Sequence, residues 1–467
     1  MKRQKITSSE FLYGLCFALC FFAFMLTEAF INERCAVILG SNAVNPVYTF
    51  GLVCTGLGFL SFSLLRRLCK KEKSRKTAQI IIGVLCLGAA MVLLFANQPA
   101  LFLTSSSAAL LLTGHISGCV YYNTAMYFAT SRYTGRLIGM GMGAAILLQF
   151  VVQNLMPQSV AFIISIIFSV AFVMYFIMKA PKDWILENPL PYSSDAKKDF
   201  KKALLLIVAV VLMSLVAGMI DSVLTAFNAE KSYDIYGGVR LFYALGLILA
   251  GFLADIKERK YLPLSTVCTI LLSSVCMFFL SDEVSYFAGT ALMYLYSGFY
   301  VIFFTVMFLD FAPKSSRPEL WAGMGRIVRS FTVAATVLPA FNIYGAVGNT
   351  VLAVVSCLLS ILILLVLLPY LSNAAVSLKP IEELISGSPE LSPQERLKLF
   401  AQYCSLTPRE TEVLEKLLTT EDGVQEIADS LYISRRMVQR YISSIYEKTE
   451  TKTRLGLFQS YMNFTAE

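Results

Sequence analysis

The chain has 467 residues, of which 57% are hydrophobic and only 15% charged, and its mean hydropathy is +0.66. Soluble domains carry about 25% charged residues, and no buried core accounts for so large a deficit. A purely water-soluble protein is excluded and a polytopic membrane protein implied. The formal charge of +8 lies mostly in short loops between apolar runs, where it reports topology more than affinity for a polyanion, and a single histidine excludes a histidine-rich metal site.

A helix needs about 20 apolar residues to cross roughly 30 Å of hydrocarbon. Twelve stretches meet this requirement: 11–31, 44–65, 78–97, 100–127, 137–156, 159–178, 203–227, 238–254, 261–280, 286–309, 327–346 and 350–371. The first follows Met1-Lys2-Arg3-Gln4-Lys5; it is too long for a cleaved signal sequence and reads as a signal anchor. A gap rich in charge and proline, Lys179 to Lys202, separates spans six and seven. The expected organisation is therefore a six-helix half over 1–178, a central loop over 179–202 and a second half over 203–371. A linker over 372–404 and a separate domain over 405–467 follow. Gly139 and Gly143 in span five have the spacing that lets two membrane helices approach closely. The 11 cysteines form no C-x-x-C pair, and Cys16, Cys20, Cys86, Cys268 and Cys357 lie in apolar runs, where cysteine packs as a small hydrophobe.

Lysine and arginine assign the sides. The N-terminus and the even-numbered gaps hold about 25 of them, counting Arg326 among the loop cations, against about three (Arg34, Lys231, Arg240) on the other side. Both termini are thus expected in the cytoplasm of a bacterial cell, with the body in its inner membrane.

After span eight the chain reads Gly251-Phe252-Leu253-Ala254-Asp255-Ile256-Lys257-Glu258-Arg259-Lys260. A glycine, an aspartate four residues on and then a basic pair resemble the loop signature of the major facilitator superfamily, which the six-plus-six topology also resembles. The resemblance covers about residues 11–371. It implies a conformational latch made by Gly251, Asp255 and either Arg259 or Lys260. The corresponding loop of the first half, Arg66 to Lys76, lacks the glycine and the aspartate.

Charges within apolar spans are costly in lipid and mark candidate sites. Glu28 and Asp221 fall late in spans one and seven, His115 in the middle of span four, and Arg240 at the start of span eight. They read either as lining a ligand or proton site between the halves, or as hydrated carboxylates near the headgroups and a packed histidine. Span ten carries an aromatic run from Tyr286 to Phe304.

Polarity changes after Leu371. An amphipathic stretch over 393–403 leads to Thr407-Pro408-Arg409-Glu410, which predicts a capped helix start with proline at its first position. Val413, Leu414, Leu417 and Leu418 share one face of that helix. A second helix over 424–431 buries Ile427, Ala428 and Leu431. Ser434 caps a third over 435–449, and a fourth is expected over 453–462. Two short helices with a tight turn, the second basic on its free face, fit either a major-groove reader or a small protein-contact domain. From Cys404 on there are about eight basic and ten acidic residues, so affinity for DNA must come from a local cluster.

The spaced words Leu-Thr-Pro-Arg-Glu at 406–410, Glu-Ile-Ala at 426–428, Leu-x-Ile-Ser at 431–434 and Ile-Tyr-Glu-Lys-Thr at 445–449 resemble the LuxR-type helix-turn-helix family over about 406–460. The resemblance implies promoter DNA as a partner and contacts from Arg435, Arg436, Gln439, Arg440, Tyr441, Ser443 and Lys448, with homodimerisation through the same domain. Thr419 to Asp422 and Tyr441 depart from the family's usual residues. The expected fold class is all-α: a twelve-helix membrane bundle followed by a four-helix helix-turn-helix domain. No phosphate-binding loop, metal cluster or Ser-His-Asp set points to an enzyme or a cofactor. The expected function is a membrane-integrated regulator whose transporter-like body senses a small molecule or ion. A secondary transporter with a regulatory tail is the alternative.

Overall fold

The computed structural model describes residues 8–69, 71–179, 196–229, 237–256, 259–276, 283–347, 349–372, 393–420, 422–449, 451, 454, 457, 460 and 461. Contacts divide the chain into two compact units, Met1–Ile381 and Glu382–Glu467.

In the first unit every expected apolar span corresponds to a helix. The first half contains α1 (Ser8–Ile38), α2 (Val44–Leu68), α3 (Glu72–Phe95), α4 (Pro99–Tyr127), α5 (Thr134–Leu155) and α6 (Gln158–Lys179). The second half contains α7 (Ala196–Ala229), α8 (Arg240–Ala254), α9 (Tyr261–Cys276), α10 (Glu283–Phe311), a single turn α11 (Pro318–Trp321), α12 (Met324–Val347) and α13 (Asn349–Ser372). Ten of these are long and apolar enough to cross a membrane. The other two expected spans are shorter among the described residues: α8 has 15 residues and α9 has 16, about 22–24 Å at 1.5 Å per residue. Residues 277–280 of the expected ninth span, Lys231, and residues 180–195 of the central loop lie outside the described residues. α7 begins at Ala196, ahead of the expected start at 203.

Within the first half, α4 packs against α1, α2 and α3, and α6 against α1 and α3; in the second, α7 packs on α12 and α13, while α10 packs on α8 and α9. The halves meet mainly along α5 with α8 and α2 with α12. Glycine sets the first of these seams. A Cβ on Gly139 would sit 2.7 Å from the Cα of Gly251, and one on Gly251 would sit 2.6 Å from the carbonyl oxygen of Gly135. Only backbone lines these contacts, so nothing there can yield to a side chain. The surface away from the seams is apolar, as with Ile81, Val84 and Leu85 on α3 and Leu358, Ile361 and Leu365 on α13. That exposure suits lipid and is unsuited to water. Cys16, Cys20 and Cys86 are buried, whereas Cys268 faces outward.

The second unit holds α14 (Pro393–Tyr403), α15 (Pro408–Thr419), α16 (Val424–Ser430) and α17 (Arg435–Lys448). Its core joins Val413, Leu414 and Leu417 of α15 to Ile427, Val438, Ile445 and Leu457. It also takes in Phe400 of α14, which meets the ring of Tyr461 edge-on with centroids 5.4 Å apart. Arg454, Leu457, Ser460 and Tyr461 are helical within the expected fourth helix, whose other residues lie outside the described set.

Candidate nucleic-acid interface and interior polar sites

The helix-turn-helix geometry begins with its caps. The Thr407 hydroxyl accepts from the Glu410 N–H at 3.4 Å, while the Glu410 carboxylate accepts from the Thr407 N–H at 2.6 Å. This reciprocal pair starts α15 where the sequence predicts. Gly423 N–H donates to Glu426 at 2.7 Å to start α16, and the Ser434 hydroxyl accepts from Met437 N–H at 3.3 Å to start α17. Val438 and Ile445 anchor the buried face of α17. Its opposite face then presents Arg435, Arg436, Gln439 and Arg440, all exposed. Ser443 is also exposed, its hydroxyl donating to the Gln439 carbonyl at 3.0 Å.

Two expected contact residues stand differently. Tyr441 is half-buried and packs against the domain core. Lys448 donates to Glu410 Oε2 at 2.7 Å and to the Ser405 carbonyl at 3.2 Å. Its ammonium therefore ties the end of α17 to the start of α15. The Glu410 carboxylate also accepts from the Ser444 hydroxyl at 2.6 Å. Burial pushes the acidity of Glu410 towards weaker acid, but Lys448, Ser444 and Thr407 outweigh it and hold the carboxyl at about 2.

Arg454 is a residue the motif words do not single out. Its guanidinium donates to the carbonyls of Leu417 and Asp422, both at 2.9 Å, and to that of Thr420. These are the last carbonyls of α15 and the following turn, which have no partners within the helix. Tyr432, in the turn before α17, is 96% exposed and has a φ of 55°.

In the membrane body, two of the residues expected to form a latch, Asp255 and Arg259, are paired, and Asp255 also reaches the first half. Asp255, just past α8, accepts from the backbone N–H groups of Gly135 and Arg136 at 2.8 and 2.9 Å. It thus engages the exposed N–H groups in the first turn of α5, where an anion is favoured. Arg259 donates to Asp255 at 2.6 Å and to Asp310 at 2.7 Å. Of the two basic candidates it is Arg259 that pairs, while Lys260 is exposed. Gly251 lies in the close seam with α5.

The first half carries a counterpart with its charges exchanged. Arg66 and Arg67, at the end of α2, meet Glu319 of α11 at 3.2 and 3.3 Å. Arg66 also donates to the Tyr122 hydroxyl at 2.6 Å. Here α11 supplies the carboxylate and the last turn of α2 supplies the arginines. A search of the loop for an aspartate therefore misses it.

Of the four interior candidates, Glu28 lies within electrostatic range of Asp221 and Arg240, whereas His115 stands apart. Asp221 accepts from Arg329 of α12 at 3.1 Å within its own half and from Tyr48 of α2 at 3.0 Å across the halves. Glu28 lines a small cleft with Asn32, Tyr48 and Thr55. Arg240 crosses to the other half and donates to Gln149 at 3.0 Å. His115 stays within the first half: its ring nitrogens meet Ser61 of α2 at 2.7 Å and Gln79 of α3 at 3.3 Å, and Phe62 packs edge-on against it. Arg326, expected in a loop, is a buried residue of α12. On α10, Tyr294, Tyr296, Phe299, Tyr300, Phe303 and Phe304 are all buried, while Phe287 faces outward.

Residues 404–460 match the bacterial regulatory proteins of the luxR family, the GerE domain. The chain is similar in structure to the human organic anion transporter MFSD10 (TETRAN), with a TM-score of 0.55 and 13% identity over 77% of this chain and 98% of that one. At that identity the likeness concerns the fold alone. No curated protein matches the chain in a sequence comparison. Residues 404–460 thus form a LuxR-type helix-turn-helix domain, and the helical body before them has a fold like that of MFSD10.

Proposed function

We propose that this chain is a one-component membrane regulator, in which the transporter-like body binds a small molecule or ion and thereby controls promoter binding by the LuxR-type domain. The observation that carries the reading is the exposed group Arg435, Arg436, Gln439 and Arg440 on one face of α17. Arginine pairs with guanine O6 and N7, and glutamine with adenine N6 and N7. The net charge of the tail is slightly acidic, so this local face must supply the attraction to phosphate, and two tails acting as a homodimer would double it. Control requires a ligand whose affinity differs between two arrangements of the body. The ion pairs of Asp255 and Glu319 between the halves are contacts that can be made in one arrangement and broken in another. The lysine and arginine distribution supports a cytoplasmic tail beneath a bacterial inner membrane.

The test is promoter output in cells carrying the Gln439→Ala, Arg440→Ala double variant. Output should be lost while the protein remains in the membrane; output equal to wild type rejects the regulator. A working secondary transporter is favoured by the intramembrane ion pair of Asp221 with Arg329, to which Tyr48 donates from the other half, since such ion pairs commonly mark substrate or ion pathways. Uptake into proteoliposomes that persists after removal of residues 380–467 would support it.

A further inference from the structure

The seam between the halves buries Arg326 in an unusual setting. The residue is 6% exposed; the Glu28 carboxylate lies within electrostatic range of it, but no described carboxylate comes within ion-pair distance. Its Nε donates to the Tyr121 hydroxyl at 2.9 Å. The rings of Phe21, Phe24 and Phe304 surround the guanidinium at 5.2, 5.9 and 5.3 Å. Its Nη2 is buried without a hydrogen-bond partner. Aromatic faces offset only part of the cost of desolvating a guanidinium. Nearby, Arg329 is already matched by Asp221, so that carboxylate is not spare.

What completes such a site is an anion. A guanidinium offers a planar fork of donors that suits a carboxylate, and the rings around it suit a flat apolar body. The same face of α1 continues from Phe21 and Phe24 to Glu28 and Ile31, at helical spacing, and Glu28 and Ile31 line the small cleft beside Tyr48. A second negative charge on the ligand would lie near Glu28, so a monoanion is favoured over a dianion. We infer that Arg326 is the anion-recognising residue of an interior site, and that its ligand is a small organic monoanion with an apolar, ring-sized body. This rests on the reading of the body as a small-molecule receptor and names the class of molecule. The site draws on α1 and α4 from one half and on α10 and α12 from the other. An anion there binds one relative position of the halves more tightly than others.

The experiment uses the full-length protein in lipid nanodiscs with three probes of similar shape: benzoate, benzamide and benzylamine. Benzoate should bind saturably, and the neutral and cationic probes should bind at least about tenfold more weakly. Arg326→Gln should lower benzoate affinity about 10- to 100-fold, as expected for a charged hydrogen bond, and Arg326→Lys should keep part of it. Absence of saturable benzoate binding, equal binding of benzamide, or a preference for benzylamine overturns the assignment. The wild-type comparison of probes decides even if Arg326→Gln does not insert. The Gln439→Ala, Arg440→Ala variant separates the two readings. It should bind benzoate normally, so promoter output judges the regulator and the probe ranking judges Arg326.

Discussion

The backbone N–H of Gly135 donates to the carboxylate of Asp255 at 2.8 Å across the two halves of the membrane body. The end of one half is thereby fastened to a helix start in the other. The Arg66–Glu319 pair fastens the halves at a second seam with the charges exchanged. Either contact has to break if the halves are to separate at that end.

Asp255→Ala should leave the N–H groups of Gly135 and Arg136 and the Arg259 guanidinium short of an acceptor. The cost of breaking such a buried pair is about 3–5 kcal/mol, felt mainly by the arrangement in which it is made. The check is maleimide labelling of a cysteine placed at the buried Thr134. Labelling should speed up several-fold in the Asp255→Ala background. An unchanged rate would show that Asp255 does not hold this seam closed.

Gly139→Val should be far more damaging than its size suggests. A side chain there meets the Gly251 backbone and the Leu247 carbonyl, and overpacking costs about 1–3 kcal/mol even where side chains can shift. Thermal unfolding in detergent should fall by several degrees or more. Gly88, which has open space around its position, should accept valine with little change.

Lys448→Ala and Arg440→Ala should separate folding from DNA affinity. Lys448 binds Glu410, so its loss should lower the stability of the tail domain by about 1–3 kcal/mol. Arg440 is exposed, and its loss should leave the melting temperature alone while weakening operator binding by about 1–3 kcal/mol. Urea denaturation and salt-titrated DNA binding of the two variants check this. Equal melting losses would contradict the assignment.

The pairing of Glu410 also predicts acid sensitivity. Its carboxyl is held at about 2 in the fold, below an unfolded value of about 4.3. A depressed carboxylate contributes its full stability above the unfolded value and loses it as pH falls through the folded one. The domain should therefore weaken between about pH 4.5 and pH 2, by on the order of 2–3 kcal/mol from this group. Glu410→Gln should be less stable at pH 7 and lack that part of the acid response in pH-dependent urea melts.

Arg454→Ala should uncap the end of α15. The carbonyls of Leu417, Thr420 and Asp422 lose their shared donor, at about 1–3 kcal/mol. Hydrogen exchange should rise in α15 and the turn before α16, while α17 retains its protection.

The sequence by itself determined where helices lie and which kind of surface each presents. Helical hydrogen bonds are local, so Thr407, Pro408 and Glu410 set the start of α15 and Ser434 that of α17. Apolar run length announced the spans for the same reason. Tertiary structure decided which charges meet. Arg66 and Glu319 are 253 residues apart in the chain, and no local pattern records that α11 turns towards α2. The same holds for Lys448 and Glu410, which folding brings together from the end of α17 and the start of α15. Nor does any local pattern record that His115 meets Ser61 of α2 and Gln79 of α3, which the packing of α2, α3 and α4 brings to it. Arg326 counted as a loop cation until α12 began three residues earlier than its apolar run. Each case has the same cause: an electrostatic contact depends on which helices become neighbours, and that choice is made by packing over the whole bundle.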